Sequence, residues 1–381
     1  MVMRAWAEDS VVSADPVGTD EITAALDRAA ADPAALTDPE WIALLHADAE
    51  QLERLCALAD DARRRVTDPD ALTFVVNRNL DTPVVAGLSR PGPTLEELVV
   101  EAAELGATEI CMQGPVPADA PAETYLELIA RITSAAPMHL HAYRVPELRD
   151  AAARLGVPVA EFVARAKDAG LGSAPGTAAQ VLDDDVRAAL APDGVALPVS
   201  AWVETIETVH AAGLFTTATL LYGHLETPAQ QIAHLRTLIE VQARTGGFSE
   251  LIVMPMLPAN APPHLTAQAV RTVSTRETRA VHAVARLITL GAFDHLQVAW
   301  TKIDPATVEL LLRGGADDIG GLLLDGELMP AAGAEAGRVL DAATLVELAE
   351  RLDRVPRQRT TAHGRPDPDR CLDLDRIRVG R

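Results

Sequence analysis

The chain has little of several things, and each shortage excludes a class of protein. Cysteine occurs three times in 381 residues, at Cys56, Cys111 and Cys371, an odd number at wide spacing. That is no disulfide framework, and no close pair marks a redox motif or a zinc knuckle. Aromatic residues make up 3%, so the core must be built from Ala, Leu and Val. Positive charge is scarce: 33 Lys and Arg stand against 55 Asp and Glu, a net charge of −22. Such a chain would repel a phosphate backbone, so nucleic acid is not an expected partner. No apolar run approaches the roughly 18–20 residues of a membrane span, and MVMRAWAEDS carries no signal-peptide core. A cytoplasmic protein without a membrane partner is expected.

What is present reads as a substantial globular protein, 48% apolar and 23% charged. Residues 1–70 are helical in pattern. Asp20 is placed to cap ITAALDRAAA, Thr37-Asp38-Pro39-Glu40 sets a cap before a first-turn proline, and residues 48–65 repeat apolar residues at helical spacing. From residue 72 short β-rich runs alternate with amphipathic helices. The runs are 72–79, 108–114, 138–143, a weak 172–176, 216–223, 250–256, 296–302 and 318–324. Several intervening helices stop at glycine.

Strand–helix alternation predicts a parallel sheet with right-handed crossovers. Up to eight units over about 250 residues is the size of a TIM-like (β/α)8 barrel. The competing doubly wound sheet would want a glycine-rich turn after the first strand, and Asn77-Arg78-Asn79-Leu80 is not one. The expected organisation is therefore an N-terminal helical extension (1–70), a barrel (71–353) and a proline-rich, charged C-terminal tail (354–381) that wraps the barrel or stays disordered.

Chemistry in such barrels sits at the C-terminal strand ends. Asn77, Arg78, Gln113, His139, His141, Tyr143, Thr177, Trp300, Lys302 and Asp318 are the expected substrate-binding residues. Tyr222, His224 and Glu226 are the expected catalytic ones. His139 and His141 share a strand face, and with His224 and Glu226 could form a His/His/His/carboxylate metal site, although substrate contact is the favoured reading and no metal ligand is assigned. Arg78 suits bidentate binding of a carboxylate or phosphate, or an ion pair to an acidic neighbour. Lys302 suits an anionic ligand or a pairing with Asp317. Thr177 either contacts ligand or caps the helix that follows it. Tyr222 and Glu226 suit proton transfer beside a substrate.

These strand ends also carry a resemblance. The segments TFVVNRN, ATEICMQG, MHLHAY, APGTAAQVLDDDVR, ATLLYGHLETPAQQIAHL, RTGGFSELIVMPM, QVAWTK, GGADDIGGLLLD and PRQRTT occur in that order across residues 20–362. Together they resemble the radical-SAM subunit of deazaflavin (FO) synthase and its menaquinone-pathway relatives, the futalosine enzymes. The resemblance implies a barrel whose first strand is followed by a C-x-x-x-C-x-x-C loop holding an iron–sulfur cluster that cleaves S-adenosylmethionine. Here Asn79 is followed by Leu80-Asp81-Thr82-Pro83-Val84-Val85-Ala86-Gly87-Leu88-Ser89-Arg90-Pro91, with no thiol. Thiolates are the ligands such clusters need.

Two further positions depart from the family. Pro115 stands in its C-M-Q-G-G loop and removes a backbone donor, and Gln180 stands where an acidic residue is usual. No iron–sulfur cluster is expected. No other cofactor is assigned, and S-adenosylmethionine stays a candidate. The expected function is a non-radical group transfer, lyase or cyclisation reaction on a small polar metabolite at the barrel mouth. One alternative is a non-catalytic partner of a genuine radical-SAM enzyme, the chain forming a homodimer or a complex with such a paralogue. A second is a histidine-rich, metal-dependent hydrolase.

Overall fold

The computed structural model describes residues 18–88, 91–191, 194–261, 263–265, 272–324, 328 and 340–372. Residues 1–17 of the expected N-terminal extension, Ser89 and Arg90 of the first strand-to-helix connection, and residues 373–381 of the tail lie outside them.

Among the described residues, three α-helices precede the first strand: α1 (Thr19–Ala31), α2 (Asp38–Leu45) and α3 (Ala49–Val66). At α2, Thr37 and Glu40 cap one another reciprocally, with proline in the first turn. Gly18 rather than Asp20 caps α1, leaving Asp20 in the first turn, where its charge meets the positive end of the helix dipole.

Eight parallel strands follow: β1 (Ala71–Asp81), β2 (Glu109–Gln113), β3 (His139–Ala142), β4 (Ser173–Ala174), β5 (Phe215–Tyr222), β6 (Phe248–Pro255), β7 (Leu296–Val298) and β8 (Asp318–Leu323). They hydrogen-bond in sequence order, and β1 pairs with both β8 and β2, which closes the barrel. Around it run α4 (Thr82–Ala86), α5 (Leu95–Glu104), α6 (Thr124–Ala135), α7 (Val145–Leu155), α8 (Val159–Asp168), α9 (Asp184–Leu190), α10 (Val199–Ala211), α11 (Pro228–Thr245), α12 (Thr275–Ile288), α13 (Pro305–Arg313) and α14 (Ala342–Arg351). None of the described helices is long and apolar enough to cross a membrane. The N-terminal helices pack on this outer layer, α3 against α12 and α2 against α11 and α12. Arg279 of α12 clamps Glu53 of α3 through two bonds of 2.6 and 2.7 Å.

The tail is more integral than an extension. Val355–Gln358 forms β9, which pairs in parallel with the first half of β1, while the second half of β1 pairs with β2. The chain beyond β9 then enters the N-terminal end of the barrel, which the side chain of Arg359 fills.

Alternation along the strands decides which side chains reach the interior. On β1, Val75, Asn77 and Asn79 line the central cavity, whereas Phe74, Val76 and Arg78 are completely buried in the helix layer. The same period brings Glu109, Cys111 and Gln113 inward from β2.

Candidate functional site

A central cavity of about 320 Å³ lies inside the barrel. Its upper wall includes Asn77, Asn79, Gln113, His141, Thr177, Trp300 and Lys302. Its floor is set by Glu109, Glu250, Arg359 and Thr361.

The floor is a buried charge cluster. Arg359 donates from Nε and Nη2 to the two oxygens of Asp318, at 2.6 and 2.8 Å, and from Nη2 to Glu250 at 2.9 Å. Thr73 adds a 2.6 Å bond to Asp318. Burial disfavours the guanidinium's charge, but Asp318 and Glu250 outweigh it and hold Arg359 more firmly protonated than usual. Beneath, the His295 and His363 rings stack at 3.6 Å between centroids. His295 bonds Asp317 at 2.7 Å, and Asp317 also accepts from Arg286 at 2.6 Å. Asp317 is therefore not a partner for Lys302.

Glu109 is the fourth acidic group here, and Thr361 Oγ1 donates to it at 2.5 Å. Complete burial is the main influence on its carboxyl. Thr361 and Arg359 oppose that influence, Glu250 reinforces it, and the group is pushed up to about 7. In a barrel interior, that is an acid poised to exchange protons near neutrality.

Across from β2, Ser173 Oγ sits between His139 Nε2 (2.7 Å) and His141 Nδ1 (2.6 Å). Burial keeps both rings neutral, pushing them down to about 4 and about 3. His139 lies lower than His141, stacked on Phe215, and its ring fills the space above Gly172, where a Cβ would come within 2.4 Å.

Of the expected binding residues, Asn77, Gln113, His141, Thr177, Trp300 and Lys302 line the cavity. Arg78 does not. Strand alternation turns it outward, where it bonds Glu101 and the Leu98 carbonyl oxygen at 2.7 and 2.6 Å. Tyr143 lies in the helix layer, its hydroxyl donating to the Tyr125 carbonyl oxygen at 2.8 Å. Asp318 opens β8 and so stands at the barrel floor, the end opposite the mouth. Thr177 begins a short 3-10 turn and caps no helix; α9 is capped by Asp183 instead.

The expected catalytic trio lies outside the cavity. Tyr222 is buried against His282, with ring centroids 6.2 Å apart. Glu226 accepts the backbone N–H groups of Gly223 and His224 (2.7 and 2.9 Å) and the Gln231 amide (2.8 Å), fixing the loop after β5. His224 sits between the Leu221 carbonyl oxygen (2.9 Å) and Glu226 (3.1 Å), and burial lowers its pKa against the pull of that carboxylate. The four-residue metal site does not assemble, because His139 and His141 face the interior while His224 and Glu226 are tied to their own loop.

Glu109, Glu250, Arg359 and Thr361 are among the cavity residues that the strand ends do not supply. For the two glutamates a signal exists: stepping back two residues at a time from Gln113 reaches Glu109, and from Met254 reaches Glu250. A carboxylate on the inward face of a strand is itself unusual. Arg359 and Thr361 belong to the segment PRQRTT, and the pairing of β9 with β1 delivers them to the barrel floor.

An iron–sulfur cluster does not fit the donors present. Cys56 lies on α3, Cys111 on the inward face of β2 and Cys371 in the tail, while the connection after β1 folds as α4 without a thiol. Among the described residues, no group of three or more His, Cys, Asp or Glu could hold a metal ion. Pro83 of α4 lies over Gly114, where an added Cβ would come within 2.9 Å of its Cδ.

No family model matches the chain. It is 37% identical over 383 residues to FO synthase of Nocardia farcinica, covering 96% of this chain and 44% of that protein. FO synthase of Mycobacterium leprae is 38% identical over 361 residues, covering 90% and 42%. The chain thus spans less than half the length of these relatives. It is 33% identical over 319 residues to 5-amino-6-(D-ribitylamino)uracil–L-tyrosine 4-hydroxyphenyl transferase 1 of Methanosarcina barkeri, covering 80% of this chain and 84% of that one.

Among solved structures, the maturase HydG from Carboxydothermus hydrogenoformans superposes with a TM-score of 0.63 at 16% identity, covering 90% of this chain and 80% of that one. Methylornithine synthase (PylB) gives 0.60 at 15%, covering 87% and 97%. At these identities the structural likeness speaks for the fold alone.

Proposed function

The chain belongs to the FO synthase family of radical-SAM-type barrels, and from that premise we propose that it binds a small polar metabolite inside the barrel and acts on it by positioning and proton transfer, without an iron–sulfur cluster. One contrast carries the reading. The cavity keeps a dense polar lining, with Asn77, Glu109, Gln113, His141 and Thr177 facing it, while the connection after β1 offers no sulfur ligand. Polar groups that face a cavity need hydrogen-bond partners, which a bound polar metabolite can supply alongside those of the protein. With the thiolates missing, the chemistry left to this lining is acid–base and orientational, which suits a group transfer, lyase or cyclisation step.

The name of the Methanosarcina relative supplies the substrate class to try first, a ribityl-substituted aminouracil and L-tyrosine. The test is a thermal-shift and calorimetric screen with 5-amino-6-(D-ribitylamino)uracil, L-tyrosine, S-adenosylmethionine and simple nucleosides. A ligand at a hundred times its Kd stabilises the native state by about 2.7 kcal/mol. The expected result is a clear rise in midpoint with at least one uracil-like or amino-acid probe, reduced by Gln113→Ala or His141→Ala. No shift with any probe would remove the reading.

A further inference from the structure

We infer that His141, Ser173 and His139 form a proton relay, through which a proton exchanged with the bound metabolite at His141 passes to or from water at His139, below the cavity. The inference deepens the reading that a metabolite binds inside the barrel and rests on it; it names the groups that carry the proton.

The pairing register builds the relay. His141 and Ser173 are direct partners across the β3–β4 ladder, so their side chains share the inward face. His139 stands two residues earlier on the same face and opens β3, at the end of the strand away from the mouth. Gly172 leaves the room its ring needs, since a Cβ there would lie 2.4 Å from His139 Cε1. Phe215 stacks on that ring with centroids 5.5 Å apart. The one hydroxyl of Ser173, a completely buried residue, thereby meets His141 Nδ1 at 2.6 Å and His139 Nε2 at 2.7 Å.

Counting protons leaves two settings. A hydroxyl has a single proton, and a neutral imidazole carries one N–H. Burial keeps both rings neutral. Ser173 must therefore donate to one ring and accept from the other. In the first setting His141 Nδ1–H donates to Ser173, which donates to His139 Nε2. His141 Nε2 is then bare and His139 Nδ1 holds the proton. In the second setting His139 Nε2–H donates to Ser173, which donates to His141 Nδ1, and the outer nitrogens exchange roles. The two rings always share one tautomer.

The outer nitrogens are open at both ends of this chain of bonds. His141 Nε2 and His139 Nδ1 have no partner among the described residues, and both keep accessible surface. His141 is only 7% exposed and lines the cavity, so the surface of its Nε2 faces the space a ligand would fill. His139 is part-buried and stands outside the cavity wall. Across from the pair, β2 presents Cys111 to His141 and Glu109 to His139. Arg359 and His139 both disfavour a positive charge on His141, which favours passing a proton on over keeping it.

In the step itself, starting from the first setting, the ligand's X–H bond breaks and its electron pair stays on the ligand heteroatom. The proton joins His141 Nε2, His141 Nδ1 passes its own to the Ser173 oxygen, and Ser173 passes its own to His139 Nε2. His139 Nδ1 then releases one proton to water. The relay ends in the second setting with both rings neutral, a shuttle suited to imidazole. The reverse sequence returns a proton from His141 Nε2 to the product, so no other reactant is needed.

The first test needs no ligand. Nitrogen NMR of the whole chain labelled with 15N-histidine reads the tautomer of each ring. His139 and His141 are expected to share one tautomer, or to average between the two to the same degree, and to lose that correspondence in S173A. Opposite tautomers in the native chain overturn the inference, because both rings would then donate to Ser173 or both accept from it. The native spectrum decides this even if S173A does not fold.

The second test follows the exchange with water of the ring N–H protons of 5-amino-6-(D-ribitylamino)uracil bound at saturation. Exchange is expected to slow at least tenfold in S173A and H139F, with Kd changed less than twofold, and to recover in S173T, which keeps a hydroxyl. Exchange unchanged in both S173A and H139F overturns the relay while the binding reading stands. If neither this nor any other small polar probe binds, the binding reading falls and takes the relay with it.

Discussion

Pro83 and Gly114 are in contact: a Cβ on Gly114 would sit 2.9 Å from Pro83 Cδ, and Gly114 holds a φ of +101° that side chains rarely adopt. The short helix after β1 has thus folded down over the end of β2. In the family this chain belongs to, the resemblance places a cysteine-bearing loop at the first of those positions and a glycine-rich, ligand-facing backbone at the second.

Gly114→Ala therefore meets a backbone penalty and a steric one. A loss of roughly 1–3 kcal/mol is expected from the φ alone. Combining it with Pro83→Ala should recover the steric part and leave the backbone part. Urea denaturation of the two single variants and the double variant separates them, and full recovery in the double variant would show that φ contributes nothing.

Arg359→Ala should be among the most damaging single changes. It strands the buried carboxylates of Asp318 and Glu250, and breaking a buried pair by removing one partner costs about 3–5 kcal/mol. The expected outcome is a large fall in denaturation midpoint, partly restored by adding Asp318→Asn. A midpoint within experimental error of the unsubstituted chain would mean the floor cluster is not formed.

Glu109 gives stability a pH dependence of defined sign. Its folded pKa of about 7 lies above the ordinary 4.5, so between these values the native state keeps a proton that the unfolded chain releases. The contribution is complete below about 4.5 and is lost as pH rises through 7, a change on the order of 3 kcal/mol. Relative to the native chain, E109Q should gain stability on going from mild acid to mild alkali. A constant difference across that window would contradict the account.

The buried histidines act in the opposite direction. His234 accepts the Leu182 N–H at Nδ1 (3.0 Å), so Nε2 carries the proton and donates to the Thr219 carbonyl oxygen (2.8 Å). Burial pushes it down to about 4 from 6.5, and it stays neutral in the native state while the unfolded chain takes up a proton. His210 and His282 are displaced by burial to about the same point. Stability should therefore fall as pH drops from 6.5 toward 4, by up to about 1.4 kcal/mol per unit for each such group. Denaturation midpoints across that range should show a shallower slope in His234→Gln. An unchanged slope would mean the ring is not held neutral.

Much of the fold was legible because β-rich runs and glycine-stopped helices leave local signals. The expected strand at 108–114 is Glu109–Gln113, and the one at 216–223 is Phe215–Tyr222. The run at 296–302 was too generous: the strand ends at Val298, and Trp300 turns to donate its indole N–H to the Gly321 carbonyl oxygen at 3.0 Å. The tail, whose proline and charge suit a segment that wraps the barrel or stays disordered, places Val355–Gln358 against β1, more than 280 positions earlier in the chain.

At the site, treating strand ends as a set put Arg78 beside Asn77, although the two-residue period of a strand separates them. His224 and Glu226 were persuasive by residue type. The turn at Gly223, with φ of +86°, carries them away from the barrel axis into bonds with their own loop. Glu109 obeys the same period but opens its strand, at the end of the barrel away from the mouth.

The central claim concerns sulfur ligands, and it is tested most directly by anaerobic reconstitution of the chain with iron and sulfide, followed by desalting, metal and sulfide analysis, and incubation with S-adenosylmethionine and a strong reductant. The account predicts a colourless protein with iron and sulfide at trace levels and no deoxyadenosine formed. A brown protein with stoichiometric iron and sulfide that cleaves S-adenosylmethionine would contradict it.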